Sequence, residues 1–537
     1  MDPEEEAQLE AAATPSGVFA GSEGRDFRTL ASGTAQNIVG LAVFVVGTFA
    51  ANILIARSFG GSGAGATALG IVTVGTQFAF LAAAGTRFGM DMASVRYVAI
   101  EIGANHPGRV RIVVTRSVLI AGVLSLALGA LTVVLAGPIG RALSDPATAD
   151  RTVASIRAAG VAIPFIALTY VWLGGSRGLK VMRHTLYVQW VAQPLLWIVL
   201  MVAFWGIGEK TEPMAVWAYA ASWVLAAAAA WFFWSTLARR YVKEPAEEGL
   251  TPALIRYGAP RAPAALLSQG LFWIDYFVAS IIGPPEVTSA DLGVYASCVR
   301  VALAMVLFLT AVAYVFSPFV ADLHARGERD RLDRLYKAIT RWTVAGTIPV
   351  LLLMLLAPAA ILRLFGGEQF TTGTDALRIL VIGQAINVSV GAAGFVLIMA
   401  GRTGWDLTVY VLSAALDIAL SFLLVPKFGI EGAAAAQAIT IACSNWLRLV
   451  LVHRFVGIFP WDRSYVRLVI PAAACALAML AASALIPDAK WLLQLLVMGV
   501  VGLVAYVPVL LALGLVPSER VALTNGLAKV RGRSAGG

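Results

Sequence analysis

Apolar residues are grouped along this chain into runs of about twenty, with short polar segments between them. The runs recur from Thr29 to Leu513, and a helix of that length crosses the hydrocarbon core of a bilayer. The period-two alternation of a membrane β-barrel is absent from the sequence. The pattern therefore predicts an all-α, polytopic membrane protein with fourteen transmembrane helices. They are predicted at residues 28–56, 65–86, 110–136, 153–175, 186–207, 214–237, 261–283, 291–320, 338–363, 375–400, 406–427, 431–455, 464–486 and 491–515.

An internal repeat with a spacing of about 223 residues runs through the chain. A glycine-led turn precedes a Leu-Gly pair twice, in FGGSGAGATALGIV from Phe59 and in IGPPEVTSADLGVY from Ile282. Further on, GRVRIVVTRSVLIAGV matches DRLYKAITRWTVAGTI in the same order. Each match is weak alone, but their constant order and spacing predict two six-helix lobes of the same orientation, followed by two additional helices.

The repeat and the loops divide the chain into six segments. The first residues are acidic and rich in small side chains, so they lack the positive charge of a signal peptide and are expected to be disordered. The predicted boundaries are 1–27 for this cytoplasmic N-terminus, 28–237 for the first lobe, 238–260 for a cytoplasmic linker, 261–460 for the second lobe, 461–515 for the last two helices and 516–537 for a basic cytoplasmic tail.

Composition and charge agree with a membrane environment. Hydrophobic residues make up 59% of the chain and charged residues 13%, whereas soluble domains have about 25% charged residues. Most of the 40 lysines and arginines fall on the side of the two termini, which predicts that both termini are cytoplasmic. These basic residues follow the membrane surface without aromatic residues between them, so nucleic acid is not an expected partner.

The residues that carry catalysis in other proteins form no pattern here. Cys298, Cys443 and Cys475 lie inside predicted helices, and neither they nor the four histidines have the spacing of a metal site. A nucleophile elbow and a Walker loop are also absent from the sequence. We therefore expect a transporter without a cofactor, not an enzyme, and transport that is not driven by ATP hydrolysis in this chain.

Charged residues at membrane depth are the candidates for function, because they are costly to bury. Arg300 and Asp275 lie on two helices joined by one turn, at a similar depth of ~12–14 Å, and are expected to face each other. Arg300 is too deep to reach water, so it either belongs to that ion pair or binds the phosphate of a cargo. The other candidate substrate-binding residues are Arg157, Arg57, Arg87, Arg261, Arg378, Asn37 and Gln269. For Arg57, Arg87 and Arg378 an interfacial, snorkelling position is the alternative.

Three acids are candidates for ion coupling or gating. Asp417 lies in mid-membrane without an obvious partner, as expected for a group that binds a coupling H⁺ or Na⁺. Asp275 is either a structural partner of Arg300 or a gate residue, and Asp91 either pairs with neighbouring arginines or serves the same role. Pro260 and Pro263 mark either a hinge or the simple start of the seventh helix.

Longer segments resemble a known family. LALGALTVVLAGPIGRAL, GTRFGMDMASVRYVA and above all FGIEGAAAAQAIT are similar to Wzx-like polysaccharide flippases of the multidrug/oligosaccharidyl-lipid/polysaccharide (MOP) exporter superfamily, over about residues 28–460. The resemblance implies two lobes around a central cavity that carry an undecaprenyl-pyrophosphate-linked oligosaccharide across the bacterial inner membrane by alternating access. Cavity arginines would then hold the pyrophosphate, with Arg300 and Arg157 foremost. Asp417 stands where the family often has Asn, so the coupling ion stays open.

The expected partners are the lipid-linked oligosaccharide, membrane lipids and proteins of polysaccharide assembly, and the chain is expected to be a monomer. Three rivals stay open. A cation-coupled multidrug antiporter of the same superfamily would have acidic, apolar cavity walls, whereas here candidate cations outnumber acids. A membrane-embedded glycan polymerase or acyltransferase would carry a long catalytic loop, and the loops here are short. A scaffold for glycan assembly is compatible with the sequence.

Overall fold

The computed structural model describes residues 23–60, 63–242, 244–245, 249–283, 285–325, 327–400, 402–486 and 490–514. Side chains are described for the same residues except 23–39, 41, 307–308, 310–319, 321–322, 325 and 403. The side chain of Asn37 and most of the two predicted terminal segments therefore lie outside the description. Within the described residues the secondary structure is helical and contains no strand, so the all-α prediction is confirmed.

The described residues of the first half form eight α-helices of seven residues or more. Their sequences are hydrophobic and carry few charges, which favours packing in lipid and against one another. Pro213 lies in the first turn of the helix Glu212–Ala238, where no backbone N–H is needed for a helical hydrogen bond. A π-helical stretch, Leu186–Ala192, leads into α7. The helices are α1 Glu23–Ser58, α2 Ala64–Thr86, α3 Met90–Gly103, α4 Val110–Val134, α5 Ala136–Ala142, α6 Ala149–Gly178, α7 Gln193–Ile207 and α8 Glu212–Ala238.

The second half repeats this order with two breaks and two additional helices. The helices are α9 Leu250–Gly270, α10 Ile274–Ile282, α11 Ser289–Ala325, α12 Arg329–Leu356, α13 Pro358–Gly366, α14 Thr374–Val390, α15 Ala393–Met399, α16 Thr403–Phe455, α17 Val469–Leu485 and α18 Trp491–Val509.

Several predicted helices differ from the observed ones. The predicted linker 238–260 ends in helix, because α9 begins at Leu250; Pro260 and Pro263 lie inside α9 and not at its start. The predicted helix 261–283 is the bent pair α9–α10, which turns by 70°, and 375–400 is the pair α14–α15, bent by 42°. The predicted pair 406–427 and 431–455 forms the two arms of α16. These arms meet at Gly429, whose φ of 56° favours glycine.

The described residues contain ten helices that are long and apolar enough to cross a membrane, or up to twelve if each bent pair counts as one span. The multi-pass character is therefore confirmed, whereas the number fourteen is not. In the first half, α6 is central and packs against α2, α3, α4 and α8. Small residues permit this packing: a Cβ on Gly129 of α4 would meet the carbonyl oxygen of Gly160 on α6 at 2.7 Å.

The two halves meet where α2 crosses α11. A Cβ on Gly70 would overlap the carbonyl oxygen of Ser289, and a Cβ on Gly293 would overlap that of Ala66. These two glycines belong to the repeated Leu-Gly pairs and are 223 residues apart. The close approach of the two backbones explains why each copy of the repeat has glycine at this position.

Candidate functional site

Arg300 lies on α11 at the junction of the two halves, and only 8% of the residue is exposed. Its Nη2 donates to the Thr73 hydroxyl of α2 at 2.9 Å. The guanidinium carbon lies 5.3 Å from the ring centroid of Trp273, which precedes α10. The other terminal nitrogen, Nη1, is buried and has no hydrogen-bond partner among the described residues. Arg300 therefore contacts both halves and keeps one donor free.

The predicted ion pair between Asp275 and Arg300 is wrong, because their charged groups do not come within 4.0 Å of each other. Arg300 is bonded to Thr73 instead, and Asp275 to Tyr295 and Gln437. The buried Asp275 carboxylate accepts hydrogen bonds from the Tyr295 hydroxyl and, at 3.3 Å, from Gln437 Nε2. The prediction counted depth along one straight helix, but the bend between α9 and α10 changes its direction. Tyr295 and Arg300 also lie about 140° apart around α11.

Asp417 joins Asp275 in one buried cluster. Its carboxylate accepts a hydrogen bond from the Thr440 hydroxyl at 3.4 Å, and Thr440 lies one helical turn from Gln437, which donates to Asp275. The second oxygen, Oδ2, is buried without a described partner. The cluster thus combines two acids from α10 and the first arm of α16 with the neutral groups of Tyr295, Gln437 and Thr440. Oxygen ligands of this kind suit a hard cation or a proton.

Metal ligands are otherwise sparse. Within the described residues no group of three or more His, Cys, Asp or Glu side chains could hold a metal ion. A cation between Asp275 and Asp417 would therefore depend on the neutral oxygens of the cluster as well as on the two carboxylates.

We call the end of the bundle where α1 ends and α2 begins the distal face. The opposite end is the proximal face. The proximal half of α9 packs on the first half of the chain: the Tyr97 hydroxyl of α3 donates to the Ala253 carbonyl at 3.4 Å. Helix α10, by contrast, packs on α16. The α9–α10 bend therefore spans both halves, with Trp273 touching Arg300 and Asp275 facing the carboxylate cluster.

The remaining candidate arginines do not converge on Arg300. Arg57 donates to the carbonyls of Leu364 at 3.0 Å and Arg363 at 3.3 Å, at the end of α13 in the other half. Arg378 forms an exposed ion pair with Asp375 at 3.0 Å. Arg157 is exposed and has no partner among the described residues.

Arg87 and Arg261, the candidate arginines near the proximal face, each contact a tyrosine ring. Arg87 is buried, pairs with Asp91 at 3.7 Å as predicted, and lies 4.1 Å from the Tyr170 ring centroid. Arg261 and Arg96 lie 5.2 Å and 5.1 Å from the ring centroid of Tyr257. The side chain of Gln269 is exposed nearby on α9.

Two turns at the distal face hold the halves together, and sequence reasoning missed both. Asp145, between α5 and α6, accepts hydrogen bonds from the backbone N–H of Ser289 at 2.9 Å and from its hydroxyl at 2.6 Å. Gln369, before α14, accepts from the backbone N–H of Gly63 at 2.8 Å. Asp145 of the first half thus binds the start of α11, and Gln369 of the second half binds the start of α2. We call these contacts the distal latch.

The distal latch contains one carboxylate outside the membrane-spanning segments. Burial raises the pKa of the Asp145 carboxyl, but hydrogen bonds from Ser289 and Thr148 outweigh burial and leave the pKa below its usual value. Asp145 is therefore ionised at neutral pH and holds the latch as a charged acceptor.

Some residues that sequence reasoning missed had a sequence signal. Gln437 and Thr440 lie within FGIEGAAAAQAIT, the segment most specific to the resemblance, although neither was singled out. Thr73 lies one turn before Gln77, the position that the repeat aligns with Arg300. Tyr295 and Trp273 gave no signal, because buried aromatic residues are common in apolar helices.

Broken helices, buried charged residues and an internal repeat of parallel orientation are features that secondary transporters share. Comparison with known families agrees with this class. The MatE family model matches residues 37–202 and 260–423, so its two matches begin 223 residues apart, as the repeat does. The chain belongs to the MatE family, and its described helices make it a multi-pass membrane protein.

Curated relatives match in part. The chain is 26% identical over 189 residues to the probable low-salt glycan biosynthesis flippase Agl15 of Haloferax volcanii, covering 35% of this chain and 39% of that protein. It is also 26% identical over 128 residues to the uncharacterized membrane protein MJ1068 of Methanocaldococcus jannaschii, covering 24% and 25% of the two chains. The matched region thus spans well under half of either relative.

Solved structures share the fold over most of the chain. The lipid II flippase MurJ in an inward closed conformation superposes with a TM-score of 0.69 at 15% identity, covering 87% of this chain and 96% of that one. An inward-facing multidrug resistance MATE family transporter gives 0.62 at 15% identity, covering 76% and 98%. At this identity the likeness concerns the fold alone.

Proposed function

We propose that this transporter flips a lipid-linked oligosaccharide with an anionic phosphate linkage, by alternating access between the two faces. The observation that carries the proposal is Arg300, a buried arginine between the lobes with a free guanidinium nitrogen. Burial of an unpaired donor is unfavourable, and a phosphate oxygen would satisfy it with a charge-assisted hydrogen bond. The glycan flippase among the relatives supports the same cargo class.

The finer details of the cargo rest on the resemblance. We propose undecaprenyl pyrophosphate as the lipid carrier, with the distal face outside the bacterial inner membrane and both termini in the cytoplasm. The distribution of lysine and arginine supports this orientation. Proteins of polysaccharide assembly would then be partners, and the chain would act as a monomer.

We further propose that Asp275 and Asp417 bind the coupling ion, H⁺ or Na⁺. The free Oδ2 of Asp417 and the hydroxyl groups of Tyr295 and Thr440 beside the two acids support this role. The α9–α10 bend would connect this cluster to Arg300. Trp273 in the bend contacts Arg300, and Asp275 comes two residues after Trp273. Ion binding at the cluster would thus bias the position of a side chain that packs on the arginine.

The test compares two buried arginines. Arg300→Ala, in proteoliposomes loaded with an undecaprenyl-pyrophosphate oligosaccharide, should lower cargo affinity about 10- to 100-fold, because the charge-assisted hydrogen bond to the phosphate is lost. Arg448 is the matched control: it is equally buried at 8% exposure but already pairs with Asp406 at 3.6 Å. Arg448→Ala is expected to lower stability while its folded fraction keeps cargo affinity. Normal flipping by Arg300→Ala, with an unchanged melting temperature, would refute the proposal.

The multidrug antiporter is the second candidate, and the buried acids Asp275 and Asp417 are the observation that favours it. An antiporter of this type would exchange an organic cation for the ion at the same carboxylates. Efflux of ethidium from everted vesicles separates the two functions. Ion-dependent ethidium efflux that Arg300→Ala leaves intact would favour the antiporter, and its absence alongside lipid flipping would favour the flippase.

A further inference from the structure

A cavity of about 420 Å³ opens at the distal face, and neither Arg300 nor the carboxylate cluster lines it. It lies where the end of α1, the start of α2, the start of α6 and the start of α8 meet. Its volume is within the range of small-molecule sites, roughly 300–1,000 Å³. The lining residues are Phe59, Gly60, Gly63, Ala64, Thr67, Arg151 and Glu212.

One polar pair in this cavity is held in a fixed orientation. Glu212 is buried, with 4% exposure, and accepts a hydrogen bond from Arg151 Nη1 at 2.6 Å. The Arg151 side chain itself is 45% exposed, so the rest of its guanidinium edge is open to solvent and to the cavity. A buried carboxylate that orients an exposed guanidinium leaves several N–H donors pointing in defined directions.

The opposite wall is apolar and adjoins a second cation. Phe59 lines the cavity and packs edge-to-face on Trp205, with 5.7 Å between the ring centroids. The ammonium group of Lys210 lies 5.8 Å from the Phe59 centroid and 5.7 Å from that of Trp205. The cavity thus has an aromatic wall and an Arg151–Glu212 ion pair, and the ammonium of Lys210 beside that wall leaves positive charge in excess around it.

We propose that this cavity is a saccharide site that prefers an acidic sugar ring. The aromatic wall suits the C–H face of a pyranose, the Arg151 edge suits adjacent oxygens of its carboxylate, and Thr67 and the glycine backbone leave room for hydroxyl groups. The inference rests on the proposed function in one respect: a flipped glycan reaches this face. The backbone N–H of Gly63, which lines the cavity, also donates to Gln369, so the site adjoins the distal latch.

Binding is tested without transport, on the full chain in nanodiscs. Isothermal titration with glucuronate, glucose and acetate should give saturable binding of glucuronate, at least tenfold weaker binding of glucose, and none of acetate. Arg151→Gln and Phe59→Leu should each weaken glucuronate binding at least tenfold. Arg331→Gln is the matched control, because Arg331 is an exposed arginine paired with Glu328 at 3.1 Å near the start of α12.

The outcomes separate this inference from the flippase proposal. Equal, Arg151-dependent binding of acetate and glucuronate would show an anion site without sugar recognition and overturn the inference, as would no saturable binding of glucuronate. Loss of binding in Arg331→Gln as well would show a non-specific charge effect and overturn it too. Glucuronate binding through Arg151 in a protein that flips no lipid would leave the saccharide site standing while the proposed function fails.

Discussion

Breaking the distal latch should open the distal face. In Asp145→Ala the two hydrogen bonds from Ser289 disappear, and both cross from one lobe to the other. Hydrogen bonds to a charged group contribute about 1.5–3 kcal/mol each, and the partial exposure of Asp145 favours the lower end of that range. A combined loss of about 3 kcal/mol raises the open-to-closed ratio on the order of 150-fold.

The measurement is a distance distribution between two spin labels on opposite sides of the latch. Asp150 and Glu286 are exposed and suit labelling as cysteines, after the exposed Cys443 is replaced by serine. Asp145→Ala should add or enlarge a long-distance population. Gln369→Ala removes one neutral hydrogen bond, worth about 1 kcal/mol, and should shift the ratio only about fivefold. An unchanged distribution in Asp145→Ala would show that the latch does not hold the lobes.

The pH dependence of the latch follows from the lowered pKa of Asp145. When the lobes separate, the hydrogen bonds are lost and the pKa returns toward about 3.9. Because the closed state has the lower pKa, latch stabilisation is fully present above about pH 4 and is lost as pH falls through the lowered value. The label distances should therefore stay constant from pH 8 to 5 and lengthen only in stronger acid. Lengthening near pH 6 that Asp145→Asn abolishes would contradict this.

Three further changes probe the centre of the molecule. Asp417→Asn should alter the Na⁺ or pH dependence of transport in proteoliposomes, and an unchanged dependence would assign Asp417 a structural role. Gly293→Ala should lower the free energy of unfolding by about 1–3 kcal/mol, because the new Cβ would overlap the carbonyl oxygen of Ala66. A melting temperature equal to that of the unmodified protein would contradict the close approach of α2 and α11. Trp273→Ala should weaken the effect of the coupling ion on cargo affinity more than it weakens affinity itself, and an equal loss of both would place Trp273 in cargo binding alone.

The fold was predictable from the sequence because its signals are local or repeated. Apolar runs of membrane length follow from the absence of water in the bilayer, which leaves helices as the simplest way to satisfy the backbone. The repeated Leu-Gly pairs at Gly70 and Gly293 persist because two backbones touch there. Breaks inside the runs were not predictable: the 70° bend between α9 and α10 lies among apolar residues, while Pro260 and Pro263 sit within an uninterrupted α9.

The site was predictable as a set of residues but not as an arrangement. The cost of burying charge singled out Arg300, Asp275 and Asp417, and all three are buried. Their partners depend on which helices face each other, and sequence spacing does not encode that. Asp275 and Asp417 are 142 residues apart in the sequence, and they belong to one cluster because α10 packs on α16.

The arrangement explains how two unlike sites can influence each other through one segment. If Asp275 had paired with Arg300, the acid would compete directly with an anionic cargo, and cargo would have to displace it. The structure separates the two charges: Arg300 keeps a free donor, and Asp275 is satisfied by Tyr295 and Gln437. In the proposed function, communication between cargo and ion would pass through the bend that carries Trp273, whose neutral side chain packs on the guanidinium. Movement of Trp273 would shift the arginine without changing its charge. Ion binding would therefore raise or lower cargo affinity according to the direction in which the bend moves.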